Sequence, residues 1–197
     1  MLKQGRRTVT EEELIRGCAG GSEQHFYLLY HKHYGKMLNV CRRYARDNDE
    51  AQGMVQEGFI RVFKSINQFA GQGSFEGWLR KVMVTSSINY FHKHYSNNLL
   101  EYVDGQQLAR TTDGEDIYHS FSSDTTSPRY DAEELLRLVQ QLPAVSRMVF
   151  NLNVMEGYAH AEIAGMLKMT ESSSRACLSR AKQKLREMIQ SDTFQKV

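Results

Sequence analysis

Residues 157–190 carry the pattern that most narrows what this chain can become. Gly157 opens Tyr158-Ala159-His160-Ala161-Glu162-Ile163-Ala164-Gly165-Met166-Leu167, a turn follows at Lys168-Met169-Thr170, and a helical pattern runs from Glu171 to about Gln190. A short helix, a tight turn and a longer basic helix form a helix-turn-helix. Small Ala164 lets the two helices approach, and Ile163, Leu167, Met169, Leu178 and Leu185 supply their core. Thr170 is placed to cap the second helix. That helix then presents Ser172, Ser173, Arg175, Arg180, Lys182, Lys184 and Arg186 on its exposed side. A basic helix that is merely solvated is the other reading, but capping, spacing and charge agree on contact with duplex DNA. Lys168 is the misfit, because such a turn often takes a glycine at positive φ and a lysine there is strained but allowed.

The rest of the chain also reads as helix. It holds only two prolines and is rich in Leu, Met, Glu, Gln, Arg and Lys, so the expected fold is all-α. From Asp131, Leu135, Leu138, Val139 and Leu142 form one apolar stripe that stops at Pro143, and Val145, Met148, Val149, Leu152 and Met155 form the next, ended by Gly157. Between Ser96 and about Ser127 the periodicity disappears. Asn97-Asn98, Asp104-Gly105 and Asp113-Gly114-Glu115-Asp116 are turn and linker composition, acidic against the single Arg110. A structureless stretch of that length marks a domain boundary. The expected organisation is a helical domain at 1–95, an acidic flexible linker at 96–127 and a helix-turn-helix domain at 128–197.

At the other end, Thr10-Glu11-Glu12-Glu13 before Leu14-Ile15 is a capping box. Gly20-Gly21-Ser22 ends that helix, and a long amphipathic helix follows to about Arg46, with Lys32, Lys36, Arg42, Arg43 and Arg46 on its outer face. Asp47-Asn48-Asp49 signals a new start, and the next helix runs to about Ile66. Its apolar stripe is Met54, Val55, Phe59, Ile60, Val62 and Phe63. Gln56, Glu57 and Arg61 share another face, which on its own reads as an ordinary solvent salt bridge. Gly53 inside this helix costs on the order of 1 kcal/mol relative to alanine, so either a neighbour approaches there or the defect is tolerated.

Phe69-Ala70-Gly71-Gln72-Gly73-Ser74-Phe75 then forms an aromatic-flanked loop, its glycines permitting tight turns and Ser74 capping the helix that begins near Phe75. Trp78, Leu79, Val82, Met83, Ser86, Ile88 and Phe91 supply the buried side of that helix, and Lys81, Thr85, Asn89, His92 and Lys93 lie on another. Cations beside aromatic rings suit a nucleic acid strand, holding phosphate and stacking on bases. Phe75 and Trp78 also suit a core, which is the commoner place for such residues.

Composition closes other routes. The net charge is +2, so local clustering and not global charge must attract nucleic acid. The three cysteines, Cys18, Cys41 and Cys177, are widely spaced, which excludes a disulfide framework and a structural zinc site. No apolar run approaches the roughly 20 residues of a membrane helix. The basic start lacks the apolar core of a secretory signal, so the cytoplasm is the expected compartment. Paired carboxylates, a nucleophile triad and a phosphate-cradling loop are all missing, and Gly71-x-Gly73 lacks the strand and third glycine of a dinucleotide site. No enzyme activity, cofactor or metal is expected.

Three stretches, in this order and spacing, resemble a bacterial sigma factor of the sigma-70 family, extracytoplasmic-function group. Residues 50–59 (Glu50-Ala51-Gln52-Gly53-Met54-Val55-Gln56-Glu57-Gly58-Phe59) are similar to region 2.2, which grips the β′ clamp of RNA polymerase. The resemblance implies polymerase contacts by Gln52, Gln56, Glu57, Phe59 and Arg61. Phe69 through Lys93 resembles regions 2.3 and 2.4, which open the −10 element and hold a flipped base. It implies single-strand contacts by Phe69, Gly71, Ser74, Phe75, Lys81, Thr85, Asn89, His92 and Lys93. Residues 157–185 resemble region 4.2, which reads the −35 duplex, and imply roles for Ser172, Ser173, Arg175, Arg180, Lys182 and Lys184. The implied partners are core polymerase (β′ clamp and β flap), promoter DNA and an anti-sigma factor. The acidic linker resembles the segment that in the family runs through the active-site cleft. Where the family has an acidic residue this chain has Gly53; where it has Asn, Asp and Arg it has Thr85, Asn89 and His92. Where it has a hydrophobic residue the chain has Ser174, and where it has a basic or glutamine residue, Cys177. The alternatives are a stand-alone helix-turn-helix regulator and an anti-sigma-like interaction protein; the basic helix argues against the second.

Overall fold

The structure is a computed structural model that describes residues 9–104 and 130–195. The described residues are helical and contain no strand, as the all-α reading expects. They divide into two compact units, one built from residues 9–41 and 48–87, the other from residues 42–47 and from residue 88 onward.

In the first unit, α1 (Glu11–Ala19) starts on the expected capping box: Thr10 Oγ1 accepts from the Glu13 amide at 3.2 Å, and Glu13 Oε2 accepts from the Thr10 amide at 2.9 Å. Leu14 and Cys18, four apart, point inward. α2 (Glu23–Arg42) buries Leu29, His33, Met37 and Val40 along one stripe, and it ends before the expected Arg46. α3 (Asn48–Ser65) gives way to a tight 3₁₀ turn at Ile66–Gln68. The close approach expected of a glycine falls at Gly58: a Cβ built there would lie 2.2 Å from Met83 Sδ on the next helix. That helix, α4 (Phe75–Asp104), continues well past Tyr95. The expected linker is thus helical over 96–104, and its remainder, including Asp113, Glu115 and Asp116, lies outside the described residues. Once a helix exists, adding a residue costs far less than starting a new one, so weak composition at Ser96-Asn97-Asn98 does not stop it.

The second unit contains α5 (Ala132–Gln140), α6 (Ala144–Phe150), α7 (His160–Leu167) and α8 (Glu171–Gln195). α5 opens on a capping box between Asp131 and Glu134, and Pro143 separates it from α6. A π-helical turn at Asn151–Met155 extends α6. Leu138, Leu142, Val145, Met148, Val149 and Leu152 are buried as the two stripes expect, whereas Leu135 and Met155 are exposed. Buried Arg147 is satisfied by carbonyls: its Nη1 donates to Gln140 O and Leu142 O at 2.7 and 3.1 Å, and its Nε to Tyr44 O at 3.0 Å. Asn151 Nδ2 donates to Arg43 O at 2.8 Å. A buried cation without such acceptors would be strongly destabilising, so these bonds fix where the loops at 42–47 and 140–143 run within the unit.

Candidate nucleic-acid and polymerase interfaces

The helix-turn-helix forms as its sequence dictates. The Ala159 amide donates to Glu162 Oε2 at 2.8 Å, which supplies the half of a capping box that alanine permits. α7 closes on Lys168 at φ 55 and ψ 45, a left-handed residue, and the Met169 amide reaches back to Ala164 O at 3.0 Å. A lysine pays for that φ with local strain. Thr170 Oγ1 accepts from the Ser173 amide at 3.1 Å and so starts α8. Ser174, Cys177, Leu178 and Ala181 form the buried stripe of α8, against Ile163 and Leu167 of α7.

At about 100° per residue, the expected DNA-contacting residues of α8 do not share one face. Arg175 and Lys182 border one edge of the buried stripe, Ser173, Arg180 and Lys184 the other, and Ser172 lies between them on the exposed crown. Arg175 is 63% exposed and pairs with Glu171 one turn back. An exposed pair of this kind is worth little, so the guanidinium can exchange it for a base edge. Arg180 and Lys184 instead line a groove of about 280 Å³ with Leu142, Pro143, Ser146 and Glu187, and Arg180 Nη2 lies 3.7 Å from Cys177 Sγ.

The Phe69–Ser74 loop is built differently. Gly71 and Gly73 sit at φ 71 and φ 80, and beyond the adjoining residues no atom lies within 4 Å of a Cβ placed on either. Both glycines are exposed and border open space, so they are there for backbone conformation. Ser74 Oγ accepts from the Gly77 amide at 3.1 Å and caps α4. Phe75 is 2% exposed. Its ring stacks on Trp78 with centroids 5.6 Å apart and meets Phe69 at 5.2 Å and His33 at 5.8 Å. Phe75 is thus a core residue, not an exposed ring as the single-strand role implies, whereas Phe69 and Trp78 are half-buried. Lys81 and Thr85 are exposed on α4, and the Thr85 hydroxyl donates to Lys81 O at 2.9 Å. Asn89 is half-buried and Lys93 exposed. His92 Nε2 lies 2.8 Å from Met166 O; a carbonyl only accepts, so that nitrogen carries the proton.

His33 supports Phe75 from beneath. It is 3% exposed, and neither ring nitrogen makes a hydrogen bond with any described residue. Burial lowers its pKa, and that outweighs the opposing pull of the Glu11 carboxylate 3.5 Å away.

On α3, Gln56 and Arg61 are exposed and Gln52 and Glu57 half-buried, but Phe59 is buried against Tyr30 and Phe63. Phe59 therefore shapes the helix from inside and is not a contact residue. The residue that sequence reading missed is Ile60, placed in the apolar stripe yet 53% exposed between Gln56, Glu57 and Arg61. Tyr27 of α2 is also largely exposed. The signal was in the spacing: Phe59 and Ile60 are adjacent, and neighbouring positions on a helix do not share a face.

Among the described residues no group of His, Cys, Asp or Glu side chains could hold a metal ion, and no helix is long and apolar enough to cross a membrane. The sequence matches the Sigma-70 region 2 family over residues 29–96 and the Sigma-70, region 4 family over residues 132–185. It is 26% identical over 187 residues to the ECF RNA polymerase sigma-E factor of Haemophilus influenzae, covering 92% of this chain and 96% of that protein. It is 24% identical over 182 residues to the RNA polymerase sigma-H factor of Pseudomonas aeruginosa, covering 91% and 94%. A solved structure of the sigma factor RpoE with the anti-sigma factor NepR from Bartonella quintana is 16% identical, with a TM-score of 0.48, covering 85% of this chain and 98% of that one. The chain belongs to the sigma-70 family, in its extracytoplasmic-function group, and is a sigma factor that binds core RNA polymerase and directs it to promoter DNA.

Proposed function

We propose a division of labour along the chain. Residues 1–95 dock on the polymerase β′ clamp and open the −10 element, the acidic linker at 96–127 connects, and residues 128–197 read the −35 duplex and meet the β flap. The observation that supports this best is the start of α8, where a capped, exposed helix end carries Ser172 and Arg175 beside a fully packed seam. Recognition helices place their N-terminal residues on base edges. Arg175 reads a base, and Ser172, Ser173 and Lys182 hold phosphate or sugar. Arg180 and Lys184, on the far edge, act on the backbone alone.

For the −10 strand, Lys81, Thr85, Asn89, His92 and Lys93 provide a polar and cationic line along α4. Phe69 and Trp78 offer the rings, and Gly71, Gly73 and Ser74 shape the turn. Extruding a base costs a few kcal/mol, and stacking returns roughly 1–3 kcal/mol per base. Gln52, Gln56, Glu57 and Arg61 surround Ile60 as the polymerase-binding face, an apolar centre with a polar rim. Exposed apolar and basic groups of this kind also favour a masking anti-sigma partner. The relatives are sigma factors, which are not enzymes, and the compartment in keeping with this role is the cytoplasm.

Run-off transcription with core polymerase on promoter fragments, with and without the chain, tests the whole. Specific transcripts that require the chain are expected. Tight binding to duplex DNA without polymerase, and no polymerase-dependent transcript, would instead mark a stand-alone regulator.

A further inference from the structure

Ser174 is fully buried (0% exposed) on the first turns of α8, one residue before Arg175. A hydroxyl in an apolar seam must be hydrogen-bonded or it destabilises the fold. Its partner comes from the other helix of the motif: His160 Nδ1, at the first position of α7, lies 2.9 Å from Ser174 Oγ. Ile163 and Leu167 of α7 and Cys177 and Leu178 of α8 are also buried, and burial of apolar side chains is non-directional. Such packing holds the helices together without setting an angle, and the Tyr130 hydroxyl, which donates to Ile189 O at 3.0 Å, acts several turns further along α8. A hydrogen bond restricts both distance and angle.

We propose that His160 is a positioning residue for the recognition helix: through Ser174 it fixes the roll of α8, and so the direction in which Ser172 and Arg175 leave it. A recognition constellation tolerates displacements of only about 0.5 Å, and Arg175 is a long side chain directly next to the pinned residue. The charges around the ring fit a structural role. His160 is half-buried, and burial, followed by the cations of Arg175 and Lys182, lowers its pKa, with Glu171 opposing. The neutral ring is favoured, so His160 holds the helix without adding a phosphate-binding charge.

The inference rests on Arg175 as the base-reading residue, and the experiment is arranged to separate the two. The full-length chain is prepared as wild type, His160→Ala, His160→Asn, Ser174→Val, His160→Ala/Ser174→Val and Arg175→Ala, with thermal melting as the control for folding. Affinity is measured for a matched upstream duplex, for single-base mismatches and for non-specific duplex. His160→Ala orphans the Ser174 hydroxyl and is expected to lower the matched-to-mismatched ratio about tenfold, with non-specific affinity unchanged. Ser174→Val removes the same bond from the other side and should lower the ratio to a similar degree, and the double variant should be no worse than either single one. His160→Asn, which keeps a side-chain hydrogen-bonding group at a similar reach, should lie between wild type and alanine and serves if the alanine variant does not fold. A ratio within twofold of wild type in His160→Ala or in Ser174→Val, or a ratio restored in the double variant, overturns the proposal. The pair itself is read without DNA, from the imidazole nitrogen shift of His160 by NMR: Ser174→Val should move the Nδ1 signal, and an unmoved signal overturns the pairing. If Arg175→Ala keeps full discrimination while the Nδ1 signal does move, the base-reading assignment fails and the helix clasp stands.

Discussion

In the proposed function the first turns of α8 and the Phe69–Ser74 loop both serve DNA, yet their side chains stand in opposite states. On α8 the proposed reader, Arg175, is 63% exposed and pairs with Glu171 one turn back. At the loop, the central ring of the aromatic cluster is inside, with Phe75 2% exposed and touched by Phe69, Trp78 and His33. The contrast matches the two substrates. A duplex presents fixed base edges, so a pre-formed helix end suffices. An extruded base brings a new ring that must find a face, and in the proposed function the half-buried outer members of the aromatic group, Phe69 and Trp78, supply it.

The comparison breaks most visibly at Phe75. If it is core, Phe75→Ala costs about 3–5 kcal/mol of stability, seen in denaturant unfolding of the first unit. A loss under 1 kcal/mol together with abolished strand opening would make Phe75 a base-contacting ring after all. Next comes Gly71→Val with Gly73→Val. Each residue is held at positive φ, and a β-branched side chain there costs about 1–2 kcal/mol, so the loop should change shape while α8 does not. Permanganate-reactive thymines should disappear and upstream duplex binding should persist; normal opening would leave the loop a mere connector.

On the other side, Arg175→Ala should lose about 1–3 kcal/mol of discrimination at one base pair, measured on matched and mismatched duplexes. Smaller still, Lys182→Ala and Lys184→Ala should weaken all duplexes alike, each reducing the salt slope by about 1 if it meets a phosphate. A slope unchanged only in Lys184→Ala would assign the groove edge of α8 to something other than DNA.

The smallest effect concerns pH. Burial holds His33 below its ordinary 6.5 in the folded chain, so the unfolded chain takes up the proton first. Stability is full above that value and is lost as pH falls below it toward the folded pKa. Glu11 and Glu76 pull the ring toward protonation, while Lys32 and Lys36 oppose them. His160 is shifted in the same direction, so the measurement is the difference between wild type and His33→Gln. Melting temperature should fall less steeply in the variant between roughly pH 7 and 5. Parallel curves would show that His33 does not report its burial.

What could be read directly from residues was the local chemistry. The boxes at Thr10–Glu13, the cap at Thr170 and the left-handed Lys168 follow from short-range sterics and hydrogen bonding, which neighbouring residues decide. What could not be read was which apolar or basic positions face inward. Ile60 sits in the same run as Phe59 yet is exposed, because adjacent positions on a helix face different ways and residue type alone does not say which faces the core. Arg180 and Lys184 share composition with Arg175 but lie across the helix, which only the burial of Ser174, Cys177, Leu178 and Ala181 reveals. The extent of α4 was hidden for another reason: its end depends on continuation from a packed helix, not on the residues at Ser96-Asn97-Asn98.

Trp78 is the single tryptophan of the chain, and it stacks on Phe75 and lies 5.8 Å from Phe69. The protein therefore carries an intrinsic optical probe within the aromatic group to which the proposed function assigns single-stranded DNA. Its emission depends on how the indole is solvated and on what lies against it, and no other indole contributes background. Mixing the free chain with short non-template oligonucleotides should quench or shift that emission when a base joins the cluster, giving the rate of capture in real time without a label.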